Sequence, residues 1–216
     1  MSTATVGPLA DEAATLVIRA LLDYRTLWTT HDLVTTTGLP APTIRRLVAH
    51  LEQEELVRRH GPGVVAVPDW LVLLQRWSKD FRFKGQANLS RWRPKRRTPP
   101  FLERIPTTQI RHAVTGAQAA HHWAPDTPAG PPVIYTPDAE LAATAWELVP
   151  AKTTSIILAE PTTDIVYTRT RTTDSGLRLA APTQVLADLL TGTIKSPRSA
   201  TPLTTWMLNN EREWRY

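Results

Sequence analysis

The sequence predicts an α/β protein in two parts, an N-terminal winged helix-turn-helix followed by a mixed α/β domain. Three observations predict it. Apolar stripes at helical spacing, separated by Gly and Pro turns, fill residues 11–55. Two β-rich runs around Gly61-Pro62-Gly63 follow at once. Beyond residue 112, short apolar runs alternate with helical stretches, as in a sheet covered by helices.

The first helix spans Asp11 to Tyr24, where Ala13, Leu16, Val17, Ala20, Leu21 and Tyr24 recur at three- and four-residue spacing. Thr30 is the expected N-cap of the second, since a threonine hydroxyl accepts from a first-turn amide. That helix runs to Thr37, and Gly38 ends it because glycine tolerates positive φ. Leu39-Pro40-Ala41-Pro42 turns the chain, and Pro42 suits a first helical position, where a missing amide costs nothing. From Thr43 to Glu55, Ile44, Leu47, Val48 and Leu51 form the buried stripe of a third helix. Thr43, Arg45, Arg46, Ala49 and His50 lie off it. Leu56 to His60 and Val64 to Val67 read as a hairpin. Asp69 caps a fourth helix carrying Trp70, Leu73, Leu74, Trp77 and Phe81.

Arg76 to Arg97 holds nine basic residues and one acid, interleaved with Trp77, Phe81, Phe83 and Trp92. Gly85, Asn88, Pro94 and Pro99-Pro100 weaken a long helix there, so the tract reads as a linker. Ala113 to Ala124 reads as a closely packed helix. The expected strands are Pro132–Tyr135, Ser155–Leu158, Ile165–Tyr167 and Leu177–Leu179. Ala139–Trp146 and Thr183–Leu190 read as helices, and Pro202 starts a last one bearing Leu203, Trp206, Met207 and Trp214. The expected division is a DNA-binding domain over 1–75, a basic linker over 76–105 and an α/β domain over 106–216.

Charge is unevenly placed. Residues 1–112 hold 17 Lys and Arg against 10 Asp and Glu, a net +7, whereas residues 113–216 carry −2. A polyanion partner is therefore expected for the first half alone. A helix, Gly turn, helix and hairpin in that order form a winged helix-turn-helix, whose second helix enters the major groove of double-stranded DNA. Thr43, Arg45 and Arg46 sit in its first turn; arginine pairs with guanine and threonine meets a thymine methyl. His50 lies further along the same helix and Thr30 at the start of the helix before it. Arg58, Arg59 and His60 lie on the hairpin, placed for phosphate or minor groove. Arg93, Lys95, Arg96 and Arg97 add candidate phosphate contacts, while the nearby aromatics are expected mostly in the core.

Catalytic signatures are weak. His112, His121 and His122 lack metal-binding spacing, and no phosphate loop or dinucleotide fingerprint occurs. Asp174-Ser175-Gly176 reads as a hairpin turn, without the elbow of a serine hydrolase. The chain holds no cysteine and no apolar run long enough for a membrane span, and its first residues do not form a secretory leader. A cytoplasmic protein that is not an enzyme and needs no cofactor or metal is expected.

Val114–Ala120, Pro132–Tyr135, Leu177–Leu190 and Ala200–Trp206 follow one another behind a winged helix. That ordered set resembles the AbiEi-type antitoxins of type IV toxin-antitoxin (abortive infection) systems. The resemblance implies a repressor binding inverted repeats in its own promoter, with Thr43, Arg45 and Arg46 opening the recognition helix. It implies that the C-terminal domain counteracts a nucleotidyltransferase toxin encoded next door. Gln184 and Asp188 lie four apart on one helix face, as a polar interaction surface or a solvated face. The alternative reading is a winged-helix regulator whose C-terminal domain senses a small ligand.

Overall fold

The computed structural model describes residues 9, 11–81, 83–96, 100–128, 130–153, 155–192 and 197–215. They divide into two units: one formed by residues up to Phe81 together with those from Arg212, the other by Arg82–Glu211.

The first unit opens with α1, Glu12–Asp23, capped by the Asp11 carboxylate on the Ala14 amide at 2.6 Å. A three-residue strand follows, β1, Leu27–Thr29. Then come α2, Thr30–Thr37, and α3, Ala41–Gln53. The turn between these helices is possible because Gly38 takes φ +72°, and its amide bonds back to the Val34 carbonyl. Ile44, Leu47, Val48 and Leu51 are buried as their spacing requires. The hairpin consists of β2, Arg58–Gly61, and β3, Val64–Ala66, with a bulge between Arg59 and Gly61. β1 pairs antiparallel with β3, giving a sheet ordered β1-β3-β2. Helix α4, Trp70–Asp80, starts at Asp69, whose carboxylate accepts from the Leu71 and Val72 amides.

Two expectations change here. The N-cap of α2 is Thr29, not Thr30. Thr29 Oγ1 accepts from the Asp32 amide and Asp32 accepts from the Thr29 amide, a reciprocal capping box. The extended φ, −95°, that a cap needs falls on the last residue of β1, so Thr30 is already helical. The other change concerns the chain's end. A terminal helix, Glu211–Arg215, belongs largely to this first unit rather than to the domain expected over 106–216. Trp214 meets the edge of Trp70, ring centres 5.0 Å apart. The buried Arg215 guanidinium donates to the Leu21 carbonyl at 3.0 Å and the Arg25 carbonyl at 3.2 Å. Helix α1 has no basic residue in its own last turn, so Arg215 supplies donors to carbonyls at that helix end.

The second unit is built on a seven-stranded mixed sheet. Its elements are α5, Phe83–Gln86; β4, Ala87–Pro94; α6, Phe101–Arg104; β5, Ala113–Thr115; α7, Gly116–Trp123; β6, Val133–Tyr135; α8, Ala139–Ala145; β7, Leu148–Pro150; β8, Ile156–Pro161; β9, Arg171–Thr172; β10, Arg178–Leu179; α9, Pro182–Thr191; and α10, Pro197–Asn209. The terminal helix is α11. The strand order is β7-β4-β8-β6-β5-β10-β9. β6 runs parallel to β8 and β5 parallel to β10; the other pairs are antiparallel.

The expected linker is in part a central strand. β4 pairs with β7 on one side and β8 on the other, and Trp92 is buried. Ala113–Thr115 is a strand rather than the start of a helix, and Gly116, at φ +69°, turns it into α7. Ile165–Tyr167 lies in a 3-10 helix, Asp164–Tyr167, and not in a strand. The helix expected to start at Pro202 begins at Pro197 and runs through that proline.

Gln184 and Asp188 are not solvated. Every residue from Pro182 to Leu189 is buried. Asp188 accepts from Thr115 Oγ1 at 2.5 Å, from the Tyr135 hydroxyl at 3.0 Å and from Gln184 Nε2 at 2.9 Å. A buried carboxylate is tolerated only with such donors around it.

Candidate nucleic-acid interface

The first turn of α3 brings together the residues expected to read bases. Ile44 points into the core, which turns its neighbours outward: Arg45 and Arg46 are exposed and Thr43 half-buried. Neither arginine has an ion pair among the described residues. That turn contains no acid. All the acids of this stretch lie at the other end, Glu52, Glu54 and Glu55, and two are held by cations of the same unit. Arg59 Nε reaches both Glu52 oxygens, at 3.0 and 3.1 Å. Arg76 bridges Glu54, at 2.6 Å, and Asp80, at 3.0 Å. Helix α3 is thus polarised, with free cations at its N-terminal end, where the helix dipole adds further positive potential.

His50 faces away from that turn; its Nε2 lies 3.1 Å from Glu54. Thr30 is half-buried in the first turn of α2. Arg58, Arg59 and His60 are all exposed on β2, His60 in the bulge itself. Arg58 has no ion pair among the described residues. The Arg59–Glu52 pair is solvent-exposed and worth about 0.2–1 kcal/mol, so exchanging it for a phosphate costs little. In the first turn of α2, Asp32 is held below the ordinary carboxylate range, chiefly by the Thr29 amide and hydroxyl and also by Arg25. Arg25 pairs with Asp32 at 2.8 Å and lies over the Trp28 ring, which fixes it at the α2 end.

Arg93, Lys95 and Arg96 belong to the second unit, on β4 and just after it. Arg93 and Lys95 are exposed; Arg96 lies 3.8 Å from Glu147. Arg97 falls outside the described residues. Arg91, exposed two residues before Arg93, was missed from sequence. The signal was there: Arg91, Arg93 and Lys95 alternate around Trp92, the two-residue period of a strand.

The order α2, Gly38 turn, α3 and hairpin, with cations at the start of α3, is the geometry of a DNA reader. Residues 14–61 match the IclR helix-turn-helix domain. The matched stretch runs from α1 through β2. No curated protein and no solved structure matches the chain. The similarity supports DNA-binding transcription regulation by a winged-helix protein, and points to a regulator rather than an enzyme. Among the described residues, no group of three His, Asp or Glu side chains is arranged to hold a metal, and no helix is long and apolar enough to cross a membrane.

Proposed function

We propose that this protein represses transcription by reading its own promoter through the first turn of α3, and that it is the antitoxin of a type IV toxin-antitoxin system. The observation that carries the first half is the exposure of Arg45 and Arg46, unpaired among the described residues, opposite a fully buried stripe. An arginine with no ion pair among the described residues breaks no internal salt bridge when it pairs with a guanine edge. Arg58 and Arg59 on β2 hold the adjacent backbone. Arg45 and Arg46 give specificity, whereas the hairpin gives mainly register and affinity.

The antitoxin half rests on the resemblance of the C-terminal stretches to AbiEi-type proteins. Three of those stretches each contribute to one buried cluster: Thr115 from the first, Tyr135 from the second, Gln184 and Asp188 from the third. The similarity therefore falls on an organised core, not on scattered surface positions. A footprint of the full chain on DNA upstream of its own gene should protect paired, inverted half-sites. Co-expression should restore growth to cells making the nucleotidyltransferase encoded next door. No protected site contradicts self-repression; a footprint without growth rescue contradicts the antitoxin role alone.

A further inference from the structure

We propose that the exposed face of β4 is a second contact for the backbone of duplex DNA, carried by the second unit. Residues directly opposite in a ladder share a face. Arg91 lies opposite Ile157 and Arg93 opposite Val149, so Arg91, Arg93 and Lys95 stand in a row on one face. β4 pairs antiparallel with both neighbours, and an antiparallel strand can bury one face and leave part of the other to solvent. The face bearing Arg91 is buried at Ile157 and charged and exposed toward the Pro94 end of the strand. Arg91, Arg93 and Lys95 are exposed, while Trp92 between them is buried on the other face.

The row is rigid and cationic. The Lys95 amide donates to the Glu147 carbonyl at 2.8 Å and the Ala151 amide to the Arg91 carbonyl at 3.0 Å, which fixes the strand. The acid near its end, Glu147, is taken by Arg104 at 3.1 Å and Arg96 at 3.8 Å. Arg93 and Lys95 have no ion pair among the described residues. Val149, opposite Arg93, is short, so Arg93 and Lys95 stand clear for a broad polyanion. Exposed Arg and Lys side chains that contact phosphates carry no sequence information, so the partner is the duplex backbone, read without sequence. The proposal rests on the DNA-binding reading of the first unit but uses separate residues.

The test is the salt dependence of binding by the full chain. Affinity for an upstream duplex and a scrambled duplex is measured between 50 and 200 mM salt, as ordinary experimental settings, by fluorescence anisotropy. Each phosphate contact adds about 0.9 to the log–log slope. Arg91→Gln/Arg93→Gln/Lys95→Gln should reduce the slope by about 2.7 on both duplexes and leave their affinity ratio unchanged. Arg93→Gln/Lys95→Gln, which touches no ion pair, should reduce it by about 1.8 and guards against misfolding of the triple variant. Unchanged slopes in both variants overturn the second contact while wild-type discrimination keeps the first. Loss of single-stranded RNA binding with duplex binding intact overturns it in favour of an RNA surface. Wild-type protein that binds no duplex overturns both readings.

Discussion

Arg45, Arg46 and Arg59 look alike in the sequence, as cations near a recognition helix. They differ because Glu52 engages Arg59, while no acid stands at the start of α3. The apolar period decides which residues of α3 face outward, so the first-turn group was legible. Which cation meets an acid seven residues away was not, because such pairing depends on how a hairpin folds back. Arg76 shows the same limit, since it reads as part of a basic tract and closes on Glu54 and Asp80. His112 is a third case, because its place in the core has no local signal in the sequence. Its Nδ1 lies 2.9 Å from the Ile110 carbonyl and its Nε2 accepts from the Arg178 amide at 3.2 Å, so the ring sits neutral. Burial, with a smaller push from Arg178, holds its pKa below the ordinary value of 6.5. The unfolded chain therefore binds the proton first, and stability falls as pH drops below about 6.5. Thermal melts at pH 7.5 and 5.5, as test conditions, should show a larger loss for wild type than for His112→Gln. Equal losses would contradict the neutral buried ring.

Elements made by local pairing were read well from sequence, and elements made by distant pairing were not. Helices α1 to α4 carry their own stripes, turns and caps, and each lies within a few residues of where those signals put it. β4 failed for a physical reason. Its partners are β7 and β8, more than 50 residues away, and Asn88, Pro94 and the arginines hide its alternation. The Thr29 cap failed because β1 has only three residues, too few to mark where extended backbone ends. That cap gives a direct test. Thr29→Ala should cost about 1 kcal/mol, by loss of the reciprocal capping box, and Thr30→Ala should cost much less. Chemical denaturation of both variants measures the difference; the opposite order would return the cap to Thr30. Glu55 offers a gain in the other direction. It ends α3 at φ +59°, a conformation glycine adopts without strain, so Glu55→Gly should be neutral or stabilising by up to about 1 kcal/mol. A loss of stability on urea unfolding would contradict that reading.

At the scale of the whole molecule, the chain leaves the helix-turn-helix unit after Phe81 and returns to it at Arg212. We propose that each unit folds on its own contacts, with these two crossings as the boundaries rather than a linker over 76–105. A return of the last few residues leaves no trace in composition, because Trp214 and Arg215 look like any helix end. Its cost is measurable: Trp214→Ala empties a buried aromatic site, a change that costs about 3–5 kcal/mol in well-packed cores. Hydrogen exchange should then rise in α1 and α4 while the sheet of the second unit keeps its protection. Equal loosening of both units would contradict the assignment of α11 to the first. The central claim, that the first turn of α3 reads DNA sequence, is tested most directly by the affinity ratio between the footprinted duplex and a scrambled one at fixed salt. Arg45→Ala/Arg46→Ala should lower that ratio by about 1–3 kcal/mol for each arginine–base pairing removed, with the thermal midpoint kept. A folded variant with the wild-type ratio would contradict it.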